Sequence, residues 1–160
     1  MNVFIVGAGP GDPELITVKG QKLLSEADVI IYAGSLVNPA LLDYAKAGCE
    51  IHNSASMTLP QVINVIEAGV KHGKMVVRLH TGDPSIYGAI QEQMDALDKL
   101  GIEYKVVPGV SSFLATAAAL KQEYTLPGIS QTVIITRNEG RTPVPDREKL
   151  RSLAAHQATM

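Results

Sequence analysis

The chain has 160 residues, 46% of them hydrophobic and 19% charged, a balance that fits about one ordinary globular domain and excludes a disordered chain. A net charge of −2 offers no basic stripe for a nucleic acid, and the single cysteine, Cys49, excludes an internal disulfide. No apolar run approaches a membrane span, and no charged n-region with an apolar h-region leads into the first strand, so a cytoplasmic protein without membrane or nucleic-acid partners is expected.

In chain order, Val3–Val6 reads as a buried strand that runs into Gly7-Ala8-Gly9-Pro10-Gly11-Asp12-Pro13. A helix is predicted over Thr17–Ala27, with Thr17 as its N-cap, followed by a strand at Val29–Tyr32. A weaker strand lies near Glu50–His52. The segment Leu59–Lys71 carries Pro60 near its start and apolar residues at Val62, Ile63, Ile66 and Val70, which is a helical period. Met75–Leu79 is the next strand, and a helix over Ile86–Leu100 should stop at Gly101 in the C′ position. Tyr104–Val107 is the last strand of this series, and an alanine-rich helix starts at Ser111 or Ser112 and runs through Leu120.

Near-continuous apolar strands alternating with helices predict an α/β fold. Its expected form is a five-strand, mostly parallel sheet with helices on both faces, occupying residues 1–121. Residues 122–130, with Pro127 and Gly128, read as a linker. Beyond it, Gln131–Thr136 is predicted as a strand, residues 137–146 as a polar turn and Arg147–Ala155 as a helix. One strand and one helix bury no core of their own. Residues 131–160 are therefore expected to be the incomplete beginning of a second α/β domain.

The glycine-rich opening invites comparison with a dinucleotide cradle, which needs G-x-G-x-x-G and an acidic residue about 20 positions on. Gly7 and Gly9 meet the first half, but Gly11 comes one position early and Asp12 stands where the third glycine belongs. Pro10 has no N–H to offer, and the Asp12 carboxylate would repel a pyrophosphate. Asp28 precedes the second strand instead of ending it, so the ribose-binding acid is misplaced too. A plain tight turn is the competing reading.

A second Gly-Asp-Pro, at Gly82-Asp83-Pro84, directly follows another strand, and a third loop, Pro108-Gly109-Val110-Ser111-Ser112, follows the next. Ligands of open parallel sheets sit outside the carboxyl ends of the strands, so the three loops can line one crevice. Carboxylates beside glycines there suit hydroxyls or positive charge better than a polyphosphate.

These three stretches, with Leu15, Thr17 and Gly20 after the first, resemble the signatures of the tetrapyrrole methylases in order and spacing along the whole chain. The resemblance implies two α/β domains with S-adenosyl-L-methionine between them, leaving as S-adenosyl-L-homocysteine. It also implies a small tetrapyrrole substrate and a homodimer in the full-length enzyme. Tyr32–Val37, His80–Ile90 and Thr136–Pro145 look most like the branch that methylates C11 of precorrin-4 or cobalt-precorrin-4. Carried over position by position, the family pattern places Pro10, Thr81, Gly82, Asp83, Ile86, Ser111 and Ser112 at the cofactor. Further cofactor contacts would come from beyond Met160. Another member, acting on uroporphyrinogen III or precorrin-2 or in the diphthamide branch, is an alternative. A dinucleotide-binding domain, catalytic or not, and a non-catalytic fragment keeping half of a cofactor cleft are others.

Methyl transfer to an electron-rich carbon needs alignment more than a base, so no catalytic residue is named. Tyr87 is expected to pack, with orientation of substrate as the alternative. A substrate rich in carboxylates calls for cations, for which Arg78, Arg137 and Arg141 are candidates. His52, His72, His80 and His156 show no metal-ligand spacing, so no metal is expected.

Overall fold

The computed structural model describes residues 2–140 and 142–160. The chain divides into two compact units, Met1–Ala115 and Thr116–Met160.

The first unit is built on a five-stranded, all-parallel sheet. Its strands are β1 (Val3–Gly7), β2 (Val29–Tyr32), β3 (Glu50–Asn53), β4 (Val76–His80) and β5 (Tyr104–Val107), in the spatial order β3-β2-β4-β1-β5. The three inner strands are almost wholly buried, whereas β3 and β5 expose alternate or successive residues at the sheet edges. The strands predicted for this unit are all present, three of them shifted or lengthened by a single residue.

Helices α1 (Val18–Glu26), α2 (Leu59–Lys71), α3 (Gln91–Lys99) and α4 (Ser112–Leu120) follow β1, β3, β4 and β5 in turn. Leu23, Leu24 and Ala27 of the α1 segment pack with Val6, Ile30, Val77 and Leu79 on one face of the sheet. Val62, Ile63 and Ile66 of α2 and Leu97 of α3 pack with Val3, Val29, Ile31 and Val76 on the other. Each such fully buried Leu or Ile contributes about 1.5–3 kcal/mol of transfer free energy.

The caps follow the sequence. Thr17 Oγ1 accepts the Gly20 N–H at 3.0 Å, as an N-cap should. At the other end of α3, Gly101 lies at φ +65°, its N–H donates to Asp98 O at 3.0 Å, and the Ile102 N–H reaches Leu97 O at 3.0 Å. That pair of bonds is a Schellman closure.

Three expectations are corrected. The helix expected from Ile86 begins only at Gln91, because residues 86–90 form a turn in which Tyr87 and Ala89 have φ of +55° and +49°. A Cβ on Gly88 would run into the Pro84 carbonyl oxygen, so this glycine is fixed by close approach.

The second unit holds no paired strand among its described residues. Gln131–Thr136 makes a single bridge, Val133 to Thr159, with the Ile134 N–H on Thr159 O at 2.8 Å and the Thr159 N–H on Thr132 O at 3.1 Å. Strand-forming residues without a neighbouring strand cannot make a ladder. The helix expected over Arg147–Ala155 is broken at Lys149, whose backbone is extended. What remains is short turns at Asp146–Glu148 and Ala154–His156 and a single α-turn at Leu150–Leu153. Among the described residues no helix is long and apolar enough to cross a membrane.

Candidate functional site

The strand order sets where a ligand can bind. From β1 the chain crosses to β2 through α1 on one face, and from β4 it crosses to β5 through α3 on the other. β1 and β4 are neighbours whose connections leave in opposite directions, which is the switch point at which open α/β sheets bind ligands. The loops after β1, β4 and β5 all emerge there, within the first unit.

These loops are fastened to one another through their backbones. The Ala8 N–H donates to His80 O at 2.7 Å, the Gly9 N–H to Gly82 O at 3.2 Å, and the Gly82 N–H back to Gly9 O at 2.9 Å. Gly9 and Gly82 lie at φ +79° and +57°, a region in which only glycine is unstrained. The third loop comes in contact with both. A Cβ on Gly7 would lie 2.6 Å from the Gly109 nitrogen and from Gly82 O, and a Cβ on Gly109 would strike Gly82 O and lie 2.8 Å from Gly7 Cα. Ser111, 7% exposed, sits beside Gly82.

Asp83 ties the second loop to the third. Its Oδ1 accepts the Ser85 N–H at 2.8 Å and its Oδ2 accepts the Gly109 N–H at 2.9 Å. The other Gly-Asp-Pro is built alike at its own turn, with Asp12 Oδ1 accepting the Glu14 N–H at 2.9 Å. Gly11, at φ +122°, is held from outside the motif by Asn38, whose Nδ2 donates to Gly11 O at 2.7 Å.

This arrangement decides against a phosphate cradle. Such a cradle works by aiming free backbone N–H groups at the anion. Here the Ala8 and Gly9 donors are committed to the neighbouring loop and Pro10 has none. Asp28 is equally unsuited to a ribose. It lies at the start of β2, bonded to the Met75 N–H at 2.7 Å and to Lys46 Nζ at 2.6 Å, and Lys46 holds its carboxyl below the usual range.

The sequence-derived site residues fall as follows. Pro10, Thr81, Gly82 and Asp83 are half-buried in the two joined loops, Ser111 is buried in the third, and Ser112 is exposed at the start of α4. Ile86 is 38% exposed in the turn beyond Asp83, its N–H donating to Asp83 O at 3.2 Å. Backbone contacts thus bring the Gly82-Asp83 loop against Gly9 and against Gly109–Ser111. Tyr87 does not pack: it is 61% exposed, on left-handed backbone at φ +55°.

Arg78 does not line an open trough. Arg78 is 7% exposed in the middle of β4, donating from Nε to Gln93 Oε1 at 3.0 Å and from Nη1 to Ile31 O at 3.2 Å, and burial lowers its pKa to about 10. Arg137 donates to the carbonyls of Asn138, Thr142 and Pro143 within its own turn. Arg141 lies outside the described residues. His80, 4% exposed, is lowered to about 4 by burial and by the Arg78 charge, so its ring is neutral at physiological pH. Among the described residues no three His, Cys, Asp or Glu side chains gather as a metal site.

Sequence reasoning missed Asn38 and Gln93. Both are polar residues in unremarkable local contexts, and their bonds reach 27 and 15 residues along the chain.

Comparison with known proteins agrees with this geometry. The family model described as Tetrapyrrole (Corrin/Porphyrin) Methylases matches residues 2–160. A cobalt-precorrin-4 C(11)-methyltransferase of Methanocaldococcus jannaschii is 66% identical over 99% of the chain, and a precorrin-4 C(11)-methyltransferase of Pseudomonas aeruginosa is 51% identical over all of it. The chain spans 61% and 64% of the lengths of those two relatives. The X-ray structure of a cobalt precorrin-4 methyltransferase, a cobalamin biosynthetic enzyme, superposes with a TM-score of 0.94 at 53% identity over 98% of this chain and 65% of that one. Uroporphyrin-III C-methyltransferase from Thermus thermophilus, complexed with S-adenyl homocysteine, follows at 0.71 and 34% identity over 83% of this chain and 57% of that one. This chain belongs to the tetrapyrrole (corrin/porphyrin) methylases.

Proposed function

We propose that the chain is the methyl-donor-binding part of an S-adenosyl-L-methionine-dependent C-methyltransferase of cobalamin biosynthesis, acting on C11 of precorrin-4 or cobalt-precorrin-4. The observation that carries this reading is the mutual fastening of the three loops. It takes the Ala8 and Gly9 N–H donors a phosphate would need and gathers glycines, hydroxyls and a carboxylate at the carboxyl ends of β1, β4 and β5. A cofactor with ribose hydroxyls, an ammonium and a sulfonium, and no phosphate, matches that donor and acceptor set. The choice of precorrin-4 follows the relatives at 66% and 51% identity, both named for that substrate type.

Pro10, Thr81, Gly82, Asp83, Ile86, Ser111 and Ser112 are the residues proposed to hold the donor. S-adenosyl-L-methionine supplies, when bound, a methyl group on a positively charged sulfur. The chain's part is positional: the Asp83 bridge fixes the second loop against the third, and Gly7, Gly82 and Gly109 let all three approach. Alignment of this kind accounts for large rate factors without an acid or a base. The same reading takes residues 1–121 as the donor-binding domain, 122–130 as linker and 131–160 as part of a second α/β domain, in a cytoplasmic, homodimeric enzyme.

The test is incubation with methyl-labelled S-adenosyl-L-methionine and either precorrin-4 or cobalt-precorrin-4, followed by locating the label. Label at C11 supports the proposal. Label at another ring carbon moves the protein to a different branch, and an unlabelled product with both substrates rejects the assignment.

A further inference from the structure

Arg78 is a buried cation with no carboxylate in ion-pair contact among the described residues. A charge buried in this way must be satisfied by hydrogen bonds, and Gln93 Oε1 and Ile31 O are what satisfy it. Arginine can only donate, so the oxygen of the Gln93 amide has to face it. The NH₂ group is thereby turned the other way. It meets Ala89 O at 3.1 Å and His80 Nε2 at 3.4 Å.

The Ala89 carbonyl belongs to the turn that replaces the first part of the expected helix. Ala89 and Tyr87 hold left-handed backbone without being glycine, a conformation that costs about 1–2 kcal/mol each and persists only when its surroundings enforce it. Ile86 and Tyr87 of this turn are exposed beside the Gly82-Asp83 loop. The Arg78 bond therefore fixes the sense of the Gln93 amide, and that amide anchors the end of the turn.

We infer that Arg78 and Gln93 form a positioning relay that holds residues 86–89, and Ile86 with them, in place beside the Gly82-Asp83 loop. The inference rests on the proposed methyl-donor function for its consequence, but its structural half stands apart from it. Gln93→Glu separates a positioning role from a merely structural one. A glutamate still accepts from Arg78, and now with opposite charge, but it has no NH₂ for Ala89 O or His80.

The expected result for Gln93→Glu is a melting temperature at or above the parent's, with the amide protons of Ile86 and Met94, which donate to Asp83 O and to Ile90 O at the end of the turn, exchanging at least about tenfold faster. Its dissociation constant for S-adenosylhomocysteine should rise by a similar factor. If that variant does not fold, the double change Arg78→Met with Gln93→Met replaces the polar pair by apolar side chains of similar length, and faster exchange at the same two amides is expected. Parent-like exchange in either folded variant overturns the relay. Failure of the parent itself to bind S-adenosylhomocysteine overturns the proposed function instead, and the exchange rates still decide the relay.

Discussion

Gly109→Ala places one methyl group where the three loops meet. The φ of Gly109 lies outside the left-handed range, so alanine is acceptable there on backbone grounds and any cost comes from contact alone. The new Cβ would strike Gly82 O and lie 2.8 Å from Gly7 Cα and 3.0 Å from Gly7 C. All of these are backbone atoms, so no rotamer change relieves the overlap. To restore ordinary contact the third loop must withdraw by about 1 Å, and the Gly109 N–H, 2.9 Å from Asp83 Oδ2, moves with it. Overpacking of this kind costs about 1–3 kcal/mol, and the lost charged hydrogen bond places the expected value near the top of that range, about 3 kcal/mol. The assay is urea denaturation followed by circular dichroism, with Gly140→Ala as the control, since nothing lies within 4 Å of a Cβ there. The variant should also lose most of its affinity for S-adenosylhomocysteine. A Gly109→Ala protein within about 0.5 kcal/mol of the parent refutes the convergence on which the site is built.

The His80 ring, held near pH 4 against its ordinary 6.5, gives a stability that depends on pH in a defined direction. Between those values the unfolded chain binds a proton that the folded chain does not. Stability therefore falls as pH drops through this window and is flat above it, by an amount on the order of 3 kcal/mol at most. Urea titrations at about pH 7.5 and about pH 4.5 should show His80→Gln losing about 2 kcal/mol less than the parent, and equal losses remove the claim. Asp83→Ala deletes the acceptor of two backbone N–H groups and should cost about 2 kcal/mol while leaving the domain folded. Calorimetry should find its S-adenosylhomocysteine dissociation constant raised about tenfold, and an unchanged constant takes Asp83 out of the site.

Where a sequence signal was local, it carried over to the structure. Leu59–Lys71 begins and ends as its apolar period and Pro60 require, and Thr17 and Gly101 cap their helices as those residue types do. The loop chemistry was legible because Gly-Asp-Pro occurs twice after a strand, and repetition marks a shared physical task. The turn at 86–90 was not legible, since "SIYGAI" satisfies a helical period. Its left-handed residues are imposed by the Pro84 carbonyl against Gly88 and by Gln93 on Ala89. Arg78 illustrates the opposite error. A carboxylate-rich substrate makes it a candidate cation, yet its long stem and planar head let it bond Gln93 and Ile31 O within the core. Gln131–Thr136 has strand composition and no strand beside it, so propensity alone produced one bridge.

Which ligand the braced loops accept decides the function of this chain. Isothermal titration of the chain with S-adenosylhomocysteine and, separately, with NAD tests this most directly. The expected result is heat with S-adenosylhomocysteine that is lost in Gly109→Ala, and none with NAD. Binding of NAD without binding of S-adenosylhomocysteine would contradict it.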